Sequence, residues 1–265
     1  MDLQLKGKKA LISGSTAGIG LAIATTLADE GAAVIIAGRS KQKLEVAREA
    51  IQSSSSAKVD VVTVTADLAT AEGAETMIHS VPDVDILVNN LGIYEAKSFF
   101  DLQDSDWVNL FKVNVMSGIR LARYYMRGML ERNFGRIIFI SSDSGIMTPP
   151  EMIHYGLTKS AQLAVARGLA ELTKGTNVTV NSVLPGPTLS EGIVDFLHTM
   201  SSKTDPTPKE AENEFFEKHR SSSLLQRLID PREIANLTAF IASPLSSATN
   251  GAALRAEGGL IQSIY

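Results

Sequence analysis

The chain has 265 residues and a formal net charge of −4, with 44% hydrophobic and 20% charged residues. This composition is typical of a globular protein, and it provides no basic stripe for nucleic acid or for an anionic membrane surface. The absence of cysteine excludes disulfides and thiolate catalysis, and no segment is apolar enough for a membrane span or a signal peptide. We therefore expect a cytoplasmic protein without nucleic-acid or membrane partners.

Short β-rich runs alternate with helical stretches along most of the chain. The strand pattern falls at residues 9–13, 33–37, 59–65, 86–89, 136–140 and 178–183, and the helical pattern at 19–29, 41–52, 71–80, 106–132 and 153–174, with Ser40 as the N-cap of the second helix. This order predicts an α/β fold: a single Rossmann-type, doubly wound parallel sheet of about seven strands with helices on both faces. Residues 1–265 are predicted to form one domain, in which 188–223 is a substrate-loop insertion without a core of its own.

A glycine-rich turn joins the first predicted strand to the first helix. Glycines permit a tight turn and a close approach of the backbone to a ligand, and the helix N-terminus offers free N–H groups to a pyrophosphate. A purely structural turn would also use glycine, but the position of this turn favours dinucleotide binding. The predicted cofactor-binding residues here are Gly14, Ser15, Thr16, Gly18, Ile19 and Gly20.

The end of the second strand bears on the choice of cofactor. It reads Gly38-Arg39-Ser40 and lacks the acidic residue that would bind the ribose hydroxyls of NAD. A guanidinium suits the 2′-phosphate of NADP, whereas an arginine near a helix start is electrostatically unfavourable as a mere surface residue. We expect Arg39 to bind the cofactor, with NADP(H) preferred and NAD(H) possible.

Tyr155 and Lys159 stand four residues apart near the start of a predicted helix, so they share one helix face. A neighbouring cation stabilises phenolate and lowers the pKa of a tyrosine from about 10, which makes it a better acid and base near neutrality. Such a pair also arises by chance between solvated surface residues. Ser142, just past the strand 136–140, could stabilise a developing alkoxide, although Ser141 and Ser144 compete for that role.

Together these motifs resemble the short-chain dehydrogenase/reductase family. The glycine spacing is G-x-x-x-G-x-G, Ser142 precedes Tyr155 by thirteen residues, and Asn89-Asn90-Leu91-Gly92 is similar to the family's Asn-Asn-Ala-Gly. Ala17 departs from the basic residue that family members preferring NADP often carry. Ala256-Glu257-Gly258-Gly259 resembles the family's closing strand.

The resemblance implies roles for particular residues. Tyr155 would donate the proton, Ser142 would hold the substrate oxygen, Lys159 would fix the nicotinamide ribose, and Asn114 would hold a water in a proton relay. Two purely structural interpretations stay open: Asn114 as a polar residue whose hydrogen bonds are satisfied at a helix irregularity, and Asp67 as part of a turn. The remaining cofactor contacts implied are Asp67, Leu68, Asn90, Gly92, Tyr155, Lys159, Pro185, Gly186 and Thr188.

The family's activity is hydride transfer between a nicotinamide dinucleotide and a carbonyl or secondary alcohol. A 3-oxoacyl-(acyl-carrier-protein) reductase is a representative possibility, for which the stripe Arg120, Arg123 and Arg127 could meet an acidic carrier or could be a solvated face. The alternative is a non-catalytic dinucleotide sensor, although a sensor need keep only the glycine turn. Family members are commonly dimers or tetramers, so we expect a homotetramer or homodimer with a small-molecule substrate.

Two further expectations concern the insertion and the histidines. The insertion is expected to fold over the substrate, with surface decoration or a subunit contact as the alternative. His154 should point about 100° away from Tyr155 on the helix and be exposed, and the four histidines show no metal-binding spacing, so no metal is expected. The predicted wall residues of the insertion are Leu189, Ile193, Phe196, Leu197, Phe215 and Phe216.

Overall fold

Seven parallel strands form one sheet in the computed structural model, which describes residues 1–55, 57–190 and 192–264. The strands are β1 Lys9–Ile12, β2 Ala33–Gly38, β3 Val61–Thr65, β4 Ile86–Asn89, β5 Gly135–Ile140, β6 Val178–Pro185 and β7 Ala253–Ala256. Their spatial order is β3-β2-β1-β4-β5-β6-β7. The order reverses between β1 and β4, and a ligand crevice is expected at the carboxyl ends of the strands on either side of this point.

Helices cover both faces of the sheet, as the α/β prediction requires. They are α1 Gly18–Asp29, α2 Lys41–Ser54, α3 Ala71–Ser80, α4 Asp104–Phe111, α5 Ser117–Glu131, α6 Ile153–Glu171, α7 Ile193–Met200, α8 Pro208–Lys218 and α9 Pro231–Ala242. Ser40 caps α2 by accepting a hydrogen bond from the backbone N–H of Lys43, which confirms the predicted N-cap. None of the helices in the described ranges is long and apolar enough to cross a bilayer.

The strands bury both faces because successive side chains point to opposite sides of the sheet. Along β2, Val34 and Ile36 enter the layer shared with α1, α2 and α9, while Ile35 and Ala37 enter the layer shared with α3, α5 and α6. This alternation of buried side chains accounts for the continuous apolar runs in the sequence. Because all strand pairs are parallel, the carboxyl ends of the strands and the residues that follow them lie at one edge of the sheet.

Two predicted elements differ from the structure. The long helix 106–132 is wrong as a single element, because a π-helical turn at Lys112–Met116 separates α4 from α5. The closing strand is Ala253–Ala256, so Glu257-Gly258-Gly259 follow it, and both glycines have positive φ of 70° and 74°. Such a backbone conformation leaves the β region and ends the strand.

The insertion 188–223 does have a small core of its own, contrary to the prediction. Helices α7 and α8 pack against each other through buried apolar side chains that form a cluster separate from the two layers beside the sheet. We call this group the lid cluster; its buried members are Ile193, Leu197, Ala211, Phe215 and Phe216. The prolines of this segment obscured the helical pattern, since Pro208 actually stands in the first turn of α8.

Candidate active site

A cavity of about 660 Å³ opens at the carboxyl ends of β1, β4, β5 and β6. It lies where the order of the sheet reverses and extends beneath the lid cluster. The structure brings twelve of the predicted site residues together in its lining: Gly14, Gly18, Ile19, Gly20, Asn90, Gly92, Ser142, Tyr155, Lys159, Pro185, Gly186 and Thr188. The other six, Ser15, Thr16, Arg39, Asp67, Leu68 and Asn114, lie outside this lining.

The glycine turn forms a cradle at the start of α1. Gly14 and Gly18 have φ of 62° and 54°, a region that favours glycine. A Cβ at Gly20 would lie 2.3 Å from the carbonyl oxygen of Gly14, so only glycine allows the turn to close on the helix. The N-cap residue Ala17 supplies no side-chain hydrogen bond to the first turn, which leaves backbone N–H groups suited to a phosphate. These residues fit a dinucleotide cofactor.

Ser13 and Asn90 join the end of β1 to the end of β4. The Ser13 hydroxyl accepts hydrogen bonds from the backbone N–H groups of Asn90 at 2.9 Å and Leu91 at 3.0 Å. The side-chain amide of Asn90 donates to the carbonyl oxygens of Ser13 and Gly14 at 3.0 and 2.9 Å. Asn89 makes no such connection, because its buried side-chain amide has no hydrogen-bond partner among the described residues.

Ser15 and Arg39 differ in whether their side chains are available to bind a ligand. Ser15 is buried, and its hydroxyl donates to Ile12 and accepts from Ala37, so it joins β1 to β2. Arg39 is exposed and makes no hydrogen bond or ion pair with the other described residues. Its guanidinium is thus available to a ligand, whereas the side chain of Ser15 is committed to the fold.

Asp67 and Leu68 follow β3. Asp67 accepts a hydrogen bond from the backbone N–H of Ala69 at 3.1 Å, as expected of a residue that shapes a turn. The side chain of Leu68 is only 2% exposed and packs in the core. Any contact of Leu68 with a cofactor would therefore come from its backbone.

Tyr155 and Ser142 form the reactive pair of the cavity. The Ser142 hydroxyl donates to Asp143 Oδ1 at 2.7 Å and accepts from the backbone N–H of Ser144 at 3.2 Å. Ser142 and Tyr155 line the same cavity, and the Ser142 hydroxyl favours the ionised form of Tyr155. Ser141 is excluded from this role, since its hydroxyl donates to the backbone of Lys159.

Burial dominates the electrostatics of Tyr155 and Lys159. It raises the pKa of Tyr155 above the ordinary value of 10.0, and the hydrogen bond with Ser142 opposes the rise. The predicted lowering of this pKa by Lys159 is therefore wrong for the structure. Burial lowers the pKa of Lys159 to about 7, and its ammonium lies 5.5 Å from the Tyr155 ring centroid while donating to the carbonyl of Ile140 at 2.9 Å. A half-charged lysine at this distance stabilises phenolate weakly.

Asn114 lies in the π-helical turn and is 1% exposed. Its side chain accepts from the N–H of Ile93 at 2.8 Å and donates to the carbonyl of Ile93 and the hydroxyl of Thr158. The alternative of a satisfied polar residue at a helix irregularity is thus confirmed. A π turn shifts the register of a helix locally, and here it ties the loop after β4 to α6 immediately before Lys159.

Several cavity residues were missed in the sequence. Tyr94 follows the Asn-Asn-Leu-Gly motif by two residues, and its ring meets that of Tyr155 edge-on with centroids 6.2 Å apart. Asp143 directly follows Ser142, so its position in the sequence could have indicated it. Arg220 comes from beyond α8 and reaches the cavity only through the tertiary fold. The other missed lining residues include Met152, Asp195 and Thr199.

The lid cluster contributes only part of the predicted apolar wall. Ile193, Phe196 and Phe215 line the cavity. Leu197 and Phe216 instead pack inside the lid cluster, and Leu189 is 51% exposed and outside the cavity. Helix periodicity explains the division, because α7 and α8 must direct some apolar side chains at each other and only the rest at the cavity.

The prediction that His154 is exposed is wrong. Its side chain is fully buried, 6.0 Å from the Trp107 ring centroid, and neither ring nitrogen has a hydrogen-bond partner among the described residues. The face of α6 turned away from Tyr155 packs against α4 rather than facing solvent, and burial lowers the pKa of the imidazole. The described part of the chain holds no cluster of three or more residues suited to a metal.

A glycine cradle and a tyrosine–serine–lysine group in one cavity define a nicotinamide-dependent oxidoreductase. Residues 8–199 match the family model for short chain dehydrogenase, and the chain belongs to the short-chain dehydrogenase/reductase family. An uncharacterized oxidoreductase of Bacillus subtilis, YvaG, is 49% identical, with the match spanning 100% of both chains. The 3-oxoacyl-[acyl-carrier-protein] reductase FabG of Aquifex aeolicus is 32% identical over 98% of this chain and 100% of its own. L-sorbose reductase of Gluconobacter frateurii, solved with NADPH and L-sorbose, aligns over 100% of both chains at 29% identity and a TM-score of 0.93.

Proposed function

We propose that this protein is an NADP(H)-dependent reductase of ketones, with Tyr155 as its proton donor. The observation that carries the proposal is that Tyr155, Ser142 and Lys159 line the same cavity as the glycine cradle. A dinucleotide sensor on the same fold would need the cradle but would have no use for these three side chains. The competing sensor function is therefore disfavoured by the geometry of Tyr155, Ser142 and Lys159.

The cofactor supplies the hydride, and the residues of the chain orient the substrate and move the proton. Ser142 and Tyr155 hold the carbonyl oxygen by donating hydrogen bonds to it, which stabilises the negative charge that develops on that oxygen. Tyr155 then transfers its hydroxyl proton to the oxygen. Lys159 binds the nicotinamide ribose, and Asn114 holds the loop after β4 and a water through which Tyr155 regains a proton. Oxidation of the alcohol is the reverse.

NADP(H) is the proposed cofactor, because Arg39 is exposed without a partner in the described part of the chain at the position expected for a 2′-phosphate. The NADPH complex of L-sorbose reductase supports this choice. Replacing Arg39 with alanine should lower kcat/KM for NADPH about 10- to 100-fold, as lost charged hydrogen bonds predict, and leave NADH nearly unchanged. Arg232→Ala, a second exposed arginine, is the matched control. A wild-type enzyme that prefers NADH would contradict the proposal.

The reaction is tested by NADPH absorbance with a panel of ketones and alcohols. Tyr155→Phe removes the proton donor and keeps the ring, so we expect turnover to fall at least about 100-fold, as for loss of a general acid, with NADPH binding retained. Tyr124→Phe, on the exposed face of α5, should keep full activity. Binding of NADPH without turnover of any ketone or alcohol would favour the sensor instead.

The identity of the ketone is a separate proposal. Reduction of a 3-oxoacyl thioester is one candidate, because curated relatives with that activity match nearly the whole chain. The basic stripe expected to meet an acidic carrier is incomplete, since Arg120 donates to the carbonyl of Ala69 and only Arg123 and Arg127 are exposed. Reduction of a small hydroxylated ketone is the second candidate, which the L-sorbose reductase match supports. A cytoplasmic location and a homotetramer or homodimer stay predictions.

A further inference from the structure

Asp143 is a buried carboxyl in the substrate end of the cavity, with no part in the mechanism above. It is 4% exposed, lines the cavity, and accepts a hydrogen bond from the Ser142 hydroxyl at 2.7 Å. A buried carboxylate is costly unless its lone pairs are satisfied. Because a carboxylate has about four acceptor sites, this one donor leaves it able to accept from a ligand.

The charged side chains near Asp143 do not pair with its carboxyl group directly. Burial raises the pKa of the Asp143 carboxyl; the charge of Arg220 opposes the rise, but its guanidinium is paired with Glu151 at 3.0 Å and donates to the carbonyl of His219. Within the described residues no cation forms an ion pair with Asp143. Asp195 also lines the cavity. With two acids and an arginine that is already paired, the substrate end favours neutral hydrogen-bond donors over anionic groups.

The hydrogen bond from Ser142 to Asp143 conflicts with catalysis of a simple ketone. In the proposed reaction Ser142 must donate its only proton to the substrate carbonyl, and in the structure it donates that proton to Asp143. Turning the hydroxyl toward the carbonyl leaves the buried carboxylate without this donor. A substrate that brings its own donor to Asp143 avoids the loss.

We infer that Asp143 is a specificity-determining residue that accepts a hydrogen bond from a hydroxyl on the carbon adjacent to the reacting carbonyl, so that the substrates are neutral α-hydroxy ketones. The inference rests on the proposed ketone reductase function. The substrate hydroxyl replaces Ser142 as the donor to Asp143, and Ser142 is then free to donate to the carbonyl oxygen.

The geometry suits a hydroxyl at the adjacent carbon. The Asp143 carboxyl lies one hydrogen bond from Ser142 Oγ, and the substrate oxygen lies one hydrogen bond from the same atom, so the two are within about 5 Å. A hydroxyl one C–C bond from the carbonyl falls between them. A 3-oxoacyl thioester presents only CH₂ there, which leaves the carboxylate facing carbon. Sites built to bind a hydroxyl reject analogues that lack it strongly.

Two ketones of equal size test the inference with NADPH: hydroxyacetone, which has the adjacent hydroxyl, and 2-butanone, which has a methyl group in its place. We expect wild-type kcat/KM to be about 10- to 100-fold higher for hydroxyacetone, and higher than for the N-acetylcysteamine thioester of acetoacetate. In Asp143→Ala the preference should disappear: kcat/KM falls for hydroxyacetone and is unchanged or rises for 2-butanone. Asp143→Asn, which keeps an acceptor for Ser142, should show a smaller loss of preference.

Asp205→Ala is the matched control, since Asp205 is exposed and lies outside the cavity lining, and this variant should leave the preference intact. Equal losses for both ketones in Asp143→Ala and Asp143→Asn would show that Asp143 only positions Ser142, and would overturn the inference. A wild-type preference for 2-butanone or the thioester would overturn it as well, while leaving the reductase function standing. Absence of turnover with every ketone would remove the reductase function itself.

Discussion

Lys159 illustrates how burial alone sets the chemistry of a residue. The residue is 4% exposed, its ammonium donates to one backbone carbonyl, and it forms no ion pair in the described ranges. Burial therefore brings its pKa from 10.5 to about 7, because the charged form loses hydration without a compensating anion. The same residue is proposed to bind the nicotinamide ribose, so its charge state at neutral pH depends on what occupies the cavity.

The pKa of Lys159 predicts how stability depends on pH. Between pH 7 and about 10.4 the unfolded chain holds this proton and the folded chain has lost it, so the free energy of unfolding rises with pH. From pH 7 to pH 9 the gain from this residue is about 2 kcal/mol. We expect urea unfolding of the cofactor-free protein to show this gain relative to Lys159→Met, which has no titrating group. Parallel pH profiles of the two proteins would contradict the assigned pKa.

At the scale of elements, α6 holds the loop that carries Ser142. A Cβ at Gly156 would lie 2.4 Å from Thr148 Cγ2 and 3.0 Å from the carbonyl oxygen of Ser144, so the helix and the loop approach as closely as the backbone allows. Gly168 lies on the same helix with no heavy atom within 4 Å of its added Cβ. The two glycines therefore form a matched pair of sites.

Alanine at these two positions should have opposite effects. Gly156→Ala pushes the loop away from α6, and we expect a loss of about 1 to 3 kcal/mol in the free energy of unfolding, as for overpacking, together with a fall in kcat. Gly168→Ala should increase stability by about 0.5 to 1 kcal/mol, the helix preference for alanine over glycine, with kcat unchanged. Thermal unfolding and NADPH oxidation measure both. Equal behaviour of the two variants would refute the close approach.

The sequence predicted those parts of the fold that depend on local pattern. The alternation of strands and helices, the N-cap Ser40 and the glycine cradle follow from neighbours along the chain, and the structure confirms them. His154 was misjudged because its burial depends on α4, which lies far away in sequence. Arg220 was missed for the same reason, and the π-helical turn at Asn114 because its contacts reach Ile93 and Thr158. Features that depend on tertiary packing leave no periodic pattern in the sequence.

At the scale of the whole molecule, several apolar side chains are left uncovered. Val108 and Phe111 on α4 are 67% and 38% exposed, and Leu157 on α6 is 47% exposed. Uncovered apolar patches mark contact surfaces in many proteins. These residues support the prediction that copies of the chain associate through this side of the molecule.

Light scattering should give a mass of four times the 28.4 kDa chain if the predicted homotetramer forms. Val108→Asp places a charge in the uncovered patch and should reduce the assembly to dimers or monomers. Val46→Asp, at a 62% exposed site on α2, should leave it intact. A monomeric wild-type protein at micromolar concentration would contradict both oligomeric predictions.

The lid cluster and the residues proposed to carry out the reaction belong to separate sets of packing contacts. Its helices pack mainly on each other, while the proton donor, the glycine cradle and the sheet belong to a different set of contacts. Mutations in α7 and α8 can therefore alter which substrates fit without disturbing the machinery that reduces them. We therefore expect substitutions in the lid cluster to change substrate preference while the glycine cradle and the proton donor keep their positions.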